Sequence, residues 1–140
     1  MGDIIRSCRF SPNKTEGLLK PIIYCCCIPE IEEKAFSMNK PLSQALLTYS
    51  PRRRTMQIEK CLADVLADLP DDPVICDFDV LFNPEYKVDV LNIMVNVCKK
   101  KSFSAVWPGR LDGNRLIYAE EQFWDYKEYD IGAYDITCVI

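Results

Sequence analysis

Two carboxylates at the end of an apolar run are the residues in this chain best placed by type and spacing to do chemistry. Pro73-Val74-Ile75-Cys76 runs into Asp77-Phe78-Asp79, and Val80-Leu81-Phe82 follows. A short apolar run bounded by turn residues predicts a strand buried on both faces, the kind found in parallel sheets. Carboxylates at the carboxyl end of such a strand stand where open α/β sheets bind their ligands. The chemistry that suits them is that of a Walker B strand. Asp77 would help hold the Mg²⁺ of a bound nucleotide, and Asp79 would orient an attacking water. The plainer reading is a pair of solvated carboxylates at a strand end.

Such a strand needs a phosphate-binding partner, and the best match lies near the start of the chain. Set against the pattern G-x-x-x-x-G-K-[ST], the residues from Cys8 to Thr15 keep Lys14 and Thr15 but replace both glycines, with Cys8 and Asn13. The glycines matter because they permit the turns that aim successive backbone N–H groups at phosphates. Asn13 tolerates a left-handed backbone better than most residues, whereas Cys8 does not. Pro21 would also kink or end a helix that began at this loop. The stretch is either a degraded phosphate loop (Asn13, Lys14, Thr15 on nucleotide) or an ordinary surface loop.

Other chemistries are narrowed by composition. The chain has no histidine, which removes Ser-His and Cys-His catalysis and the usual zinc spacings. Its eight cysteines include the run Cys25-Cys26-Cys27 but no C-x-x-C. Cys61, Cys76 and Cys98 fall within apolar patterns, so these thiols are read as reduced, with no zinc and no disulfides, in a cytoplasmic protein. The net charge of −4 offers nucleic acid no general attraction. Arg52-Arg53-Arg54 and Lys99-Lys100-Lys101 are basic runs, and the acidic stretch from Glu120 to Asp135 opposes them. The asymmetry suits a charged partner, and direct DNA contact is not expected. No apolar run is long enough to span a bilayer, and Asp3 and Arg6 interrupt the only apolar residues at the start.

The elements that must position the carboxylates follow from periodicity. With 140 residues and a 49% hydrophobic fraction, one domain over 1–140 can bury a core. A poor first strand is expected over Asp3 to Phe10, and Lys20 to Ile28 is open between a strand and a helix end. A short strand over Lys34 to Met38 comes next. Asn39 then caps a helix that buries Leu42, Ala45, Leu46 and Tyr49 and ends near Pro51. Arg52 to Arg54 form a basic turn. Thr55 to Leu69 carries the clearest helical stripe, with Met56, Ile58, Cys61, Leu62, Val65, Leu66 and Leu69 on it. A further helix from about Val88 to Cys98 ends in the lysine run, which suits the negative pole of its dipole. Strands over Ser102 to Trp107 and Arg115 to Ala119 follow, then an acidic aromatic tail over 120–140 that closes on Ile136 to Ile140. Alternating strands and helices predict a three-layer α/β domain with a mainly parallel sheet. Trp107-Pro108-Gly109 would then share a sheet edge with Asp77 and Asp79.

The segment from Asn39 to Tyr129 resembles the BrxF family, small P-loop proteins of type III bacteriophage-exclusion (BREX) defence systems. The resemblance rests on Leu46-Leu47 with the Arg-rich turn, the helix before the acidic strand, and Asp77 through Phe82. It continues through Asp89, Leu91, Val106-Trp107-Pro108-Gly109, Leu116-Ile117-Tyr118-Ala119-Glu120, Tyr126 and Tyr129. It implies a P-loop NTPase-like fold, here with a degenerate phosphate loop, and a role in antiphage defence beside larger subunits that modify or attack DNA. Two functions are then open. One is an accessory scaffold acting through protein contacts with other defence subunits. The other is a small NTPase, possible as a homo-oligomer, using Mg-ATP. In the latter Lys14 and Thr15 meet the phosphates and Mg²⁺, Asp77 holds the metal and Asp79 the water. An arginine from Arg52, Arg53 or Arg54 would act in trans. The missing glycines favour the scaffold.

Overall fold

The computed structural model describes residues 2–6 and 20–140. Six strands form one sheet, and every hydrogen-bonded pair in it is parallel. They are β1 (Asp3–Ile5), β2 (Ile22–Tyr24), β3 (Phe36–Ser37), β4 (Val74–Cys76), β5 (Ser104–Val106) and β9 (Thr137–Val139). Their order across the sheet is β1-β9-β2-β5-β4-β3. A second sheet of three antiparallel strands, β6 (Arg110–Asp112), β7 (Arg115–Tyr118) and β8 (Lys127–Asp130), is inserted between β5 and β9. The α/β architecture with a mainly parallel sheet is therefore as the periodicity predicts.

The connections explain which face each helix covers. From β2 the chain crosses β5 and β4 to reach β3. From β3 it steps back through β4 and β5 and then passes β2 to reach β9. Right-handed crossovers put connections of opposite direction on opposite faces. Side-chain alternation agrees. Ile23, Ile75, Ala105 and Cys138 point to the face that packs α2 (Asn39–Leu47), α3 (Pro51–Ala67) and α4 (Val90–Cys98). Tyr24, Val74 and Val139 point the other way, against Ile31 of α1 (Pro29–Lys34). The first face holds the main core. Among the described residues the second face is covered by one six-residue helix.

Local details depart from the sequence reading in instructive ways. The Arg-rich run is not a turn but the first turn of α3, entered through Ser50 and Pro51. Proline's fixed φ suits a first helical position, so Pro51 starts this helix rather than closing the one before. Arg54 donates from Nε to the carbonyls of Leu46 and Tyr49, at 3.1 and 3.2 Å, and so caps the end of α2. Lys101 does the same for α3. Its Nζ reaches the Leu66 carbonyl at 2.7 Å and also that of Leu69. The lysine run thus serves the neighbouring helix rather than its own. Asn39 is not the cap of α2, whose N-cap is Met38. The helix α4 is buried nearly all round, which its mostly apolar sequence requires. Its N-cap is Asp89, accepting from the Asn92 amide at 3.1 Å.

The segment 120–140 is less a tail than its composition suggests. It contributes β8 to the small sheet and β9 between β1 and β2, with Ile136, Thr137, Cys138 and Val139 all buried. The hairpin from β6 to β7 turns at Gly113, whose φ of +60° is open to glycine at no steric cost. No helix among the described residues is long and apolar enough to cross a membrane.

Candidate functional site

The acidic segment leaves the sheet through an uncommon backbone. Asp77 follows β4 directly with φ +49°, in the left-handed region, and turns the chain so that Phe78 enters the core. Asp is among the few non-glycine residues that adopt this conformation readily. A 3-10 helix, Asp79–Phe82, then begins, and Phe78, Leu81 and Phe82 are all buried. Burying side chains of this size contributes about 2 kcal/mol each. Asp77 and Asp79 stay on the outer side of that anchor and are exposed.

Aromatic packing ties this 3-10 helix to the small sheet. Phe82 stacks on Tyr118 of β7 with ring centroids 3.9 Å apart and meets Trp107 edge-on at 5.5 Å. Trp107 in turn donates from Nε1 to the Ile117 carbonyl at 2.9 Å. Gly109 is required beside it, because a Cβ there would lie 1.9 Å from the same carbonyl oxygen. Trp107-Pro108-Gly109 therefore does end the strand next to the acidic one, with β5 paired to β4. Its role is to fasten the small sheet to the large one.

Asn39 is the site residue that the sequence misassigned. Its Oδ1 accepts from the Val80 amide at 3.0 Å, joining the start of α2 to the segment after β4. Its side chain also bonds Asp79. Burial pushes the Asp79 carboxyl above its ordinary value, the Asn39 bond opposes this, and the charges of Asp77 and Asp125 add to the rise. Tyr118 is pushed up to about 12 by burial and by the charges of Asp79 and Asp125. Nothing in the spacing of Asp125 or Tyr118 marks them as neighbours of Asp79; the insertion of the small sheet brings them there.

The loop from β2 to α1 completes the described part of this edge. It consists of Cys25, Cys26, Cys27 and Ile28, and α1 begins at Pro29 with Glu30 and Glu32 in its first turn. The Cys27 thiol donates to Glu32 Oε2 at 3.3 Å, and the Cys76 thiol to Asp77 Oδ2 at 3.6 Å. Burial, then Asp77, pushes Cys76 up to about 11. The Glu32 hydrogen bond is the main cause that raises Cys27, and contact with Cys138 is the main cause for Cys25. At neutral pH these thiols stay protonated, so they are poor nucleophiles and poor metal ligands.

Electrostatically the described edge is acidic. Glu32, Asp77, Asp79 and Asp125 face it, and among the described residues neither Asp77 nor Asp79 is in an ion pair. Asp77, exposed at the strand end, is the carboxylate that would hold a Mg²⁺ shared with phosphate oxygens, an ion that takes one or two protein carboxylates in such sites. Among the described residues no group of three or more Cys, Asp or Glu is arranged to hold a metal ion, and no disulfide is present.

Asn13, Lys14 and Thr15 lie outside the described residues, as does Cys8. The strand they follow, β1, is at the sheet edge, four places from β4. At about 4.8 Å per strand that is a separation of about 19 Å. Arg52 and Arg53 are exposed on the first turn of α3, whereas the Arg54 side chain is occupied by the end of α2. No family model, curated protein or solved structure matches the chain.

Proposed function

We propose that this protein is an accessory subunit of a prokaryotic antiphage defence system of the BREX kind. On this reading it is a cytoplasmic P-loop-like scaffold that works mainly through contacts with other subunits, and its nucleotide binding is weak or lost. The defence role rests on the resemblance of Asn39 to Tyr129, and the observation that supports weak or lost nucleotide binding is the loop from β2 to α1. In this sheet β2 and β5 are neighbours whose outgoing connections run in opposite directions, so the ligand crevice of an open α/β sheet falls between their carboxyl ends. A phosphate there needs glycines, a lysine and free helix N–H groups. The chain instead offers three cysteines, Ile28, Pro29 and the carboxylates Glu30 and Glu32. Like charge and a missing N–H donor at Pro29 both disfavour a triphosphate.

A second reading is favoured by Asp77 and Asp79, since a left-handed Asp at a strand end beside a carboxyl raised by burial and by neighbouring charge is a pattern found at functional sites. In it the protein is an ATP hydrolase. Lys14, Thr15 and Asn13 meet the phosphates, Asp77 shares Mg²⁺, Asp79 orients water, and Arg52 or Arg53 acts in trans.

Calorimetric titration with Mg-ATP and Mg-GTP, beside co-expression with the larger subunits of such a system, separates the two. The scaffold reading expects no heat at millimolar nucleotide and a stoichiometric complex that survives Asp77→Ala. Micromolar binding abolished by Lys14→Ala and Asp77→Ala would establish the hydrolase instead. Failure to form a complex with any of those subunits would overturn the defence role.

A further inference from the structure

The loop between β7 and β8 presents Phe123 and Trp124 to solvent, and Trp124 is 77% exposed. Glu121 beside them is also exposed, and Asp125 follows; Glu120 is paired with Arg110 at 3.1 Å. A tryptophan on an acidic loop is costly to leave in water, and Trp is the residue most enriched at interface hot spots. A surface of opposite character lies on the same chain. At the turn between α2 and α3, Leu47 is 67% and Met56 82% exposed, and Arg52 and Arg53 are exposed beside them. Arg52, Arg53, Met56 and Lys60 recur at helical spacing and so share one face of α3. From Met56 a groove of about 730 Å³ runs between α3 and α4, lined by Ala63, Ala67 and Val97 and by charges of both signs, with Lys60 paired to Asp64 at 3.7 Å, so the basic character lies at its mouth, on Arg52 and Arg53.

We propose that the acidic aromatic loop of one copy docks on the basic α2–α3 turn of a second copy, with Trp124 packed against Met56 at the mouth of that groove. The two patches match in both respects that specific interfaces require. Apolar surface meets apolar surface at the centre, and carboxylates meet guanidinium groups at the rim. Because the patches differ, two copies either exchange the contact reciprocally in a closed dimer or repeat it head-to-tail in a larger ring or a filament. The inference is independent of nucleotide binding.

Sedimentation velocity of the full chain from micromolar to millimolar concentration tests it. Self-association is expected at low salt and should weaken as salt screens the rim. Trp124→Ala, and separately Arg52→Glu with Arg53→Glu, should each weaken it at least about tenfold. All three positions are exposed, and far-UV circular dichroism checks that the variants fold. Mixing the two variants should restore a one-to-one complex, since each keeps the patch the other has lost. Trp107 is buried, so the concentration-dependent blue shift of emission should vanish in Trp124→Phe. A monomer at every concentration, assembly indifferent to these substitutions, or no recovery on mixing would each overturn the proposal.

Discussion

Asn39 Oδ1 lies 3.0 Å from the amide nitrogen of Val80, a hydrogen bond between residues 41 apart that fixes the acidic segment to the start of α2. With buried Phe78, Leu81 and Phe82, it holds the segment that carries Asp79. Replacing Asn39 with Ala should leave the part-buried Val80 N–H without its partner. The expected loss is about 1–2 kcal/mol of stability, measured by urea denaturation, with the m-value unchanged.

The raised Asp79 carboxyl has a signed consequence for stability. The folded state holds this proton more firmly than the unfolded chain does. The contribution is therefore fully present below the ordinary value of 3.8 and is lost as pH rises through the folded pKa. Asp79→Asn should be more stable than the parent at neutral pH, and the difference should close below about pH 4. Denaturant unfolding across an acid-to-neutral series checks this; a constant difference would contradict it.

Trp107 and Gly109 serve one carbonyl, that of Ile117. Trp107→Phe removes the hydrogen bond and should cost about 1–3 kcal/mol. Gly109→Ala places a methyl group against the same oxygen and should cost more, through displacement of β7. Amide exchange should show β6, β7 and β8 loosening ahead of the parallel sheet in both variants.

Lys100 and Lys101 are neighbours with unlike roles. Lys101→Met removes the cap on α3 and should cost about 1 kcal/mol, whereas Lys100→Met should be nearly neutral. Thermal unfolding of the pair distinguishes a specific cap from a general effect of charge.

Cys76 should alkylate slowly near neutral pH, since its thiol is pushed up to about 11 by burial and by Asp77. Asp77→Asn removes the nearby charge and should shift the pH–rate profile of Cys76 downward. Site-resolved mass spectrometry of iodoacetamide labelling reads this directly, with Cys27 as the exposed internal comparison.

Much of the framework was legible along the chain. The apolar run before Asp77, the stripe over Met56 to Leu69 and the Trp-Pro-Gly break are local patterns, and local patterns fix strand, helix and end. The misreadings share a cause. Pro51 both ends and begins helices, so only the packing of Arg54 on α2 decides which it does here. Asn39 looked like a cap because its distant partner, Val80, cannot be inferred from neighbours in sequence. The 120–140 segment looked like a tail because its acidic residues dominate its composition, while β9, buried at all three positions, takes its place only through its neighbours β1 and β2.

By itself, then, the sequence determined the α/β character and the two exposed carboxylates at a strand end. It also determined the chemistry that no-histidine composition leaves out. Each follows from side-chain type and short-range periodicity. The tertiary structure alone decided that β9 enters the sheet beside β2 and that the small sheet brings Tyr118 and Asp125 to Asp79. It also decided that the cysteine run leaves β2 beside the carboxyl end of β5. Those outcomes depend on strand order, which is set by burial of both sheet faces together and not by any one segment.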